Sequence, residues 1–88
     1  MKVLKFGAKW CPECKIMKPR WAEIEKENPW LETEYYDFDE NKEELDRWDI
    51  KEIPTFIFLD NQGKEFLRLY GEVSKEKLVD ILNDNRDR

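Results

Sequence analysis

The chain has 88 residues, and we expect residues 1–88 to form a single small domain. A hydrophobic fraction of 40%, with 4 Trp, is sufficient for a packed core and argues against disorder. The net charge of −5 disfavours nucleic acid and anionic membrane as partners, because both would repel an acidic surface.

The first half of the chain predicts a strand, a helix, a second strand and a second helix. Val3–Ala8 is a short apolar run typical of a buried strand. Glu13–Lys26 has apolar residues at the three-to-four spacing of an amphipathic helix, and Asn28-Pro29 ends it. Thr33–Asp39 alternates in the manner of a strand, and Asn41–Trp48 is a short, charged helix.

The second half predicts two strands and a last helix. Phe56–Leu59 is a continuous apolar run typical of a central strand, and Glu65–Tyr70 alternates after a turn, which favours a hairpin. Ser74 caps a helix over Lys75–Leu82, and we expect Asn83–Arg88 to fray. The predicted order βαβαββα is an α/β fold with a mixed four-stranded sheet flanked by three helices. Its first two strands are parallel and its last two antiparallel.

The compartment follows from the start of the chain and from its apolar runs. No run reaches about 18 apolar residues, and charges interrupt the first residues too early for a secretory segment. We therefore expect a cytoplasmic protein, and we expect it to be a monomer. In a reducing compartment, two cysteines separated by two residues indicate chemistry or metal binding and not a structural disulfide.

The feature that carries chemistry is Cys11-Pro12-Glu13-Cys14, between a predicted strand and a predicted helix. A dithiol exchanger needs one exposed, ionised thiol and a second thiol that resolves the mixed disulfide. Unpaired N–H groups and the helix dipole would stabilise a Cys11 thiolate at the start of the helix. Cys14 would lie almost one turn further along, within bonding reach but more buried.

Two other interpretations of the cysteine pair stay open at this point. Both residues could be unreactive core side chains, since free cysteine is often buried. They could also form half of a four-cysteine zinc site, which would need a dimer because the chain has no other Cys and no His.

Three segments resemble motifs of the thioredoxin family. Phe6–Lys15, followed by Pro19, resembles the active-site segment of thioredoxins. Ile53-Pro54-Thr55 resembles the cis-proline loop of that family, and Gly71 matches the glycine after its last strand. The resemblance follows the chain in order, although the first strand and helix of the family have no counterpart. It implies a thioredoxin fold and an oxidoreductase that reduces protein disulfides, with the first cysteine attacking and the second resolving.

The resemblance also implies a groove for an extended substrate segment. Pro54 would be cis, and the backbone of Ile53 would pair with the substrate. Gly71 would leave space for the substrate, and Trp10 would form an apolar rim. Taken singly, each residue has an ordinary explanation: Pro54 as the start of a strand, Gly71 as the end of one, and Trp10 as core cover.

The residues between the cysteines depart from the family pattern. The family has Gly-Pro there, whereas this chain has Pro12 and Glu13. The negative charge of Glu13 should oppose the helix dipole and disfavour a Cys11 thiolate. Proline after the first cysteine is also a glutaredoxin feature. Ile53-Pro54-Thr55 does not fit the Thr-Val-Pro loop of glutaredoxins, so glutathione is the weaker substrate.

A second departure is Lys5, which occupies the position of a buried acid in the family. A cation there would favour a thiolate at Cys14. We expect Lys5 to pair with Asp37 or Tyr35 beneath the cysteines, unless it extends along an uncovered sheet face to reach water.

The sequence predicts no bound cofactor and no resident metal. It holds no glycine-rich phosphate loop for a nicotinamide or flavin, so a separate reductase must return electrons to the cysteines. An oxidase or isomerase would differ from a reductase in potential alone. A binding module without catalysis would use the same groove.

Overall fold

The computed structural model describes all 88 residues, Met1–Arg88. Its elements follow the predicted order βαβαββα, and their bounds differ from the predicted ones by two residues at most. The elements are β1 (Lys2–Gly7), α1 (Pro12–Glu27), β2 (Glu32–Asp37), α2 (Lys42–Arg47), β3 (Thr55–Leu59), β4 (Glu65–Tyr70) and α3 (Lys75–Asp84). None of the helices combines the length and the apolar character needed to cross a bilayer.

The strands form one four-stranded sheet in the order β2-β1-β3-β4. β1 and β2 are parallel because α1 returns the chain to the same end of the sheet, whereas β3 is antiparallel to β1 and β4. The predicted mixed sheet, its parallel first pair and its antiparallel last pair are therefore confirmed. The last residues of β1 and β2, Gly7 and Asp37, are paired at the end of the sheet where α1 begins.

One face of the sheet is covered by α1 and α3. The Trp21 ring of α1 lies 5.5 Å from the Phe56 ring and 6.3 Å from the Phe58 ring, centre to centre. Met17 and Ile24 flank Trp21 at the spacing that puts all three on one side of the helix. The other buried side chains of this layer are Val3, Leu31, Val73, Leu78 and Leu82.

The opposite face carries the short helix α2 alone. Leu45 of α2 packs against this face, and so does Ile50, which lies in the loop after α2. Their contacts on the sheet are Leu4, Phe6 and Ile57. All residues of β3 are consequently buried, as expected for a central strand covered on both faces.

The last residues are anchored by contacts between cations and aromatic rings. The Arg86 guanidinium lies 4.7 Å from the Trp30 ring centre, and that of Arg88 lies 4.6 Å from the Phe66 ring centre. α3 itself continues to Asp84. The prediction that Asn83–Arg88 frays was therefore wrong. The sequence did not indicate these contacts, because they join residues far apart in the chain and follow no local pattern.

Two isoleucines of α1 test how this helix packs. Ile24 is fully buried, whereas Ile16 is 43% exposed. Ile24→Ala should lower the free energy of unfolding by about 2–5 kcal/mol, because it leaves a cavity beneath the helix. Ile16→Ala makes the same change in helix propensity, and it should alter stability by less than about 0.5 kcal/mol. Urea denaturation measures both, and equal effects would contradict this orientation of α1.

Candidate active site

The cysteine pair lies where the chain passes from β1 into α1. Cys11 is the N-cap residue of α1, with extended dihedrals (φ −87°, ψ 116°), and Pro12 opens the first turn. Proline fits this position because first-turn N–H groups have no partner inside the helix. The backbone N–H of Cys14 donates a hydrogen bond to Sγ of Cys11 over 3.2 Å. A helix N–H group is thus directed at this sulfur, where it stabilises a thiolate.

The two cysteines form a disulfide, and their burial is opposite to the prediction. Their Cα atoms are 5.2 Å apart, within the range that a disulfide requires. Cys11 is only 5% exposed, whereas Cys14 is partly exposed. The expectation that Cys14 would be the more buried residue was therefore wrong. The reason is Gly7, which has no side chain to cover the Cys14 sulfur.

A cavity of about 510 Å³ opens beside Cys14. Lys5 of β1, Cys14 of α1, and Tyr35 and Asp37 of β2 contribute to its walls, together with Pro54. A space of this size that is open to solvent holds several water molecules, because one water occupies about 30 Å³ in the liquid. The Cys14 sulfur is therefore placed to exchange a proton with solvent.

The loop before β3 carries the residues that the family resemblance identified. The Ile53–Pro54 peptide bond is cis, and Pro54 is buried. The backbone N–H of Gly71 donates to the carbonyl oxygen of Pro54 over 2.9 Å, so this loop and the residue after β4 are joined. The backbone N–H and C=O of Ile53 make no hydrogen bond inside the protein.

Glu13 occupies the space beside Gly71 that the resemblance left for substrate. Its Oε2 accepts a hydrogen bond from the backbone N–H of Glu72 over 3.1 Å. A Cβ atom on Gly71 would lie 3.1 Å from the same oxygen. The glycine therefore makes room for the Glu13 carboxylate, which connects the first turn of α1 to the loop after β4.

Trp10 stands at the surface next to the disulfide. Its side chain is 59% exposed, so the interpretation as core cover was wrong. The indole Nε1–H donates to Oδ2 of Asp39 over 2.8 Å, and the ring packs edge-on against Phe38. These contacts hold an exposed aromatic surface beside Cys11.

Lys5 does not make the pair that the sequence predicted. Its Nζ donates to Oε2 of Glu25 over 2.6 Å, and it lies 5.9 Å from the centre of the Trp21 ring. Asp37 is already engaged, because its Oδ1 accepts the backbone N–H of Asp39 over 2.8 Å. The pairing with Asp37 or Tyr35 was therefore wrong, because α1 covers this face of the sheet and brings a carboxylate of its own to Lys5.

The sequence named Tyr35 only as a partner of Lys5, and it gave Gly7 no role of its own in the site. A Cβ atom on Gly7 would lie 3.2 Å from Sγ of Cys14 and 3.3 Å from Oη of Tyr35. Tyr35 is 55% exposed, and the partial burial of its phenol raises its pKa above the ordinary value, with the Asp37 and Glu40 carboxylates acting in the same direction. A glycine as the last residue of a strand before a helix is the signal for such a close approach.

No metal site is built from the protein's own ligands. No three side chains of the His, Cys, Asp and Glu types converge closely enough to hold a metal ion.

Known proteins similar to this chain are thioredoxins. A sequence model of the thioredoxin family matches residues 1–84. The chain is 36% identical to Thioredoxin H4-2 of Oryza sativa subsp. japonica over 84 residues, which cover 93% of this chain and 63% of that protein. It is 39% identical to Thioredoxin H9 of Arabidopsis thaliana over 69 residues, which cover 78% of this chain and 49% of that protein. The chain thus spans about half to two thirds of the length of these relatives.

A solved structure gives the same result for the fold. The X-ray structure of Fasciola hepatica thioredoxin superposes on this chain with a TM-score of 0.85 at 31% identity. The superposition covers 96% of this chain and 79% of the other.

Substitutions at two glycines test the contact between Gly71 and Glu13. Both Gly71 and Gly63 have positive φ, +75° and +80°, so alanine is strained at either position. Gly63 has open space around it, and Gly63→Ala should cost about 1–2 kcal/mol of stability from the backbone alone. Gly71→Ala should cost about 1 kcal/mol more, because the new methyl group displaces Glu13 from its hydrogen bond.

The extra cost at Gly71 should disappear when Glu13→Ala is added, as measured by a double-mutant cycle in urea. Independent, additive effects of the two substitutions would show that the carboxylate does not rest on Gly71.

Proposed function

Because this chain belongs to the thioredoxin family, we propose that it is a thiol–disulfide oxidoreductase that reduces disulfides of other proteins. The observation that carries the proposal is the Cys11 sulfur, held at the start of α1 with the backbone N–H of Cys14 directed at it. A sulfur in this position is a good nucleophile because its thiolate is stabilised near neutral pH.

Reduction of a substrate proceeds in two exchanges. In the reduced protein, the Cys11 thiolate attacks one sulfur of the substrate disulfide, and the other substrate sulfur leaves as a thiolate. The Cys14 thiol then loses its proton and attacks the Cys11 sulfur of the mixed disulfide. The second substrate sulfur leaves with the electron pair, and the Cys11–Cys14 disulfide is formed, as in the present structure. Two electrons have passed from the protein to the substrate.

The groove for the substrate lies between Trp10 and the cis-proline loop. The unpaired backbone groups of Ile53 support pairing with an extended segment, which would add a short strand beside Pro54. The exposed Trp10 ring offers apolar contact on the other side. An approaching segment displaces the exposed Glu13 carboxylate from Gly71, at the cost of one hydrogen bond to Glu72.

The oxidised protein requires an external electron donor. Its sequence has no glycine-rich phosphate loop, and we infer that a separate reductase attacks the disulfide and returns two electrons. The reductase must reach the same sulfurs as the substrate, so substrate and donor use this surface in turn.

Serine substitutions separate catalysis from simple binding. In insulin reduction driven by dithiothreitol, Cys11→Ser should abolish the acceleration, because the nucleophile is removed. Cys14→Ser should form a mixed disulfide with the substrate that persists, because the resolving sulfur is missing. Equal rates for wild type and Cys11→Ser would instead favour a binding module.

The reduction potential decides the direction of electron flow. Titration of the cysteine pair against glutathione should give about −270 mV, the range of protein-disulfide reductases of this kind. A potential of about −120 to −180 mV would contradict the proposed direction and identify an oxidant or isomerase.

A further inference from the structure

We propose that Tyr35 donates a hydrogen bond from its phenol to the Cys14 thiolate of the reduced protein and so activates the resolving sulfur. This role rests on the proposed function, since a resolving step exists only in dithiol exchange. It concerns the sulfur that reacts in that step, and it assigns the stabilisation of its ionised form to a residue of β2.

The absence of a side chain at Gly7 brings Cys14 and Tyr35 together. Both Sγ of Cys14 and Oη of Tyr35 lie within 3.3 Å of the point where a Cβ atom on Gly7 would stand. Any larger residue would fill that point and separate the sulfur from the phenol. Because β1 pairs in parallel with β2 and places Lys5 opposite Tyr35, the Tyr35 ring extends over the face on which α1 lies. Gly7 therefore leaves open space between the two strands and the first turn of α1.

The Tyr35 hydroxyl is available for this contact. It has no hydrogen-bond partner inside the protein, whereas Tyr36, its neighbour on the other face, donates to Oε2 of Glu34 over 2.9 Å. Partial burial of the phenol, reinforced by Asp37 and Glu40, raises the pKa of Tyr35, although the side chain is 55% exposed. The phenol consequently keeps its proton at neutral pH and can act as a donor throughout the reaction.

The other groups around Cys14 are less suited to donate a hydrogen bond to its thiolate. Lys5 is held by Glu25, and one oxygen of Asp37 is held by the backbone of Asp39. The Asp37 charge opposes a thiolate at Cys14, while the cations around the cavity favour one. Those cations are Lys5 on β1, Lys9 before α1, and Lys15 and Lys18 on α1. Two neutral donors line the cavity: the buried Nε1–H of Trp21, and the phenol of Tyr35, which lies next to Gly7 together with the Cys14 sulfur.

In the resolving step, protons are exchanged with water and not with Tyr35. The Cys14 thiol passes its proton to water in the adjoining cavity, and the Tyr35 phenol keeps its own proton while donating a hydrogen bond to the sulfur. The lone pair of Cys14 forms the new S–S bond with Cys11, and the substrate sulfur leaves with the bonding pair and takes a proton from water. During reduction by the external donor the order is reversed, and the same hydrogen bond stabilises Cys14 as it leaves.

The test compares Tyr35→Phe with Tyr36→Phe, because each removes one phenol from adjacent residues on opposite faces of β2. In the reduced protein with ¹³C-labelled cysteines, the Cβ shift of Cys14 reports its ionisation against pH. Tyr35→Phe should raise the ionisation midpoint of Cys14 by about one pH unit, the size of effect expected for one hydrogen bond to an ionised group. Tyr36→Phe should leave the midpoint unchanged. An unchanged midpoint in Tyr35→Phe, or equal shifts in both variants, would overturn the proposal.

Gly7→Ala provides an independent variant that keeps the phenol. Its methyl group should push the Tyr35 ring away from the sulfur and shift the Cys14 midpoint in the same direction as Tyr35→Phe. A rise in Tyr35→Phe without any rise in Gly7→Ala would contradict the geometry proposed here.

The ionisation measurement needs no substrate, so it stands apart from the proposed function. If the wild type failed to reduce insulin while the Cys14 midpoint still depended on Tyr35, the contact would be supported and the activity would not. In an active protein, release of substrate from the mixed disulfide at neutral pH should be about tenfold slower in Tyr35→Phe, with its acid limb moved up by the same one pH unit.

Discussion

The contact between α1 and the sheet positions both reactive sulfurs. Trp21 packs on Phe56 and Phe58, while Met17 and Ile24 extend the same buried stripe along the helix. Since the middle of α1 is held in this way, its first turn is fixed above the ends of the parallel strands β1 and β2. The disulfide thus stands on a helix that the core supports, and its surroundings are set by the residues that end those two strands.

The end of β1 determines how the two sulfurs differ. Cys11 is covered and receives a helix N–H group, whereas Cys14 opens into the cavity beside Gly7. The backbone thus contacts one sulfur, and the other sulfur opens into the cavity that Tyr35 also lines. Lys5, on the same strand as Gly7, is paired with Glu25 of α1.

The loops beside the disulfide are organised by backbone contacts. The hydrogen bond from Gly71 to Pro54 joins the two loops beside the disulfide, and Glu13 adds a contact from the helix to the loop after β4. The positive φ of Gly71 and the absence of its side chain permit both contacts. Trp10 completes the surface because Asp39 and Phe38 hold its ring beside Cys11.

Local patterns in the sequence determined the elements, the mixed sheet and the cysteine pair at the start of a helix, because strand and helix periodicity and helix capping depend on near neighbours. The family resemblance supplied the loop at Pro54 and the glycine at position 71. Only the tertiary structure decided that Lys5 pairs with Glu25, that Glu13 rests on Gly71, and that Cys14 faces a cavity. Each of these contacts depends on which side chains of two different elements meet in the folded protein. The packing of the elements decides this, and no local sequence pattern encodes it.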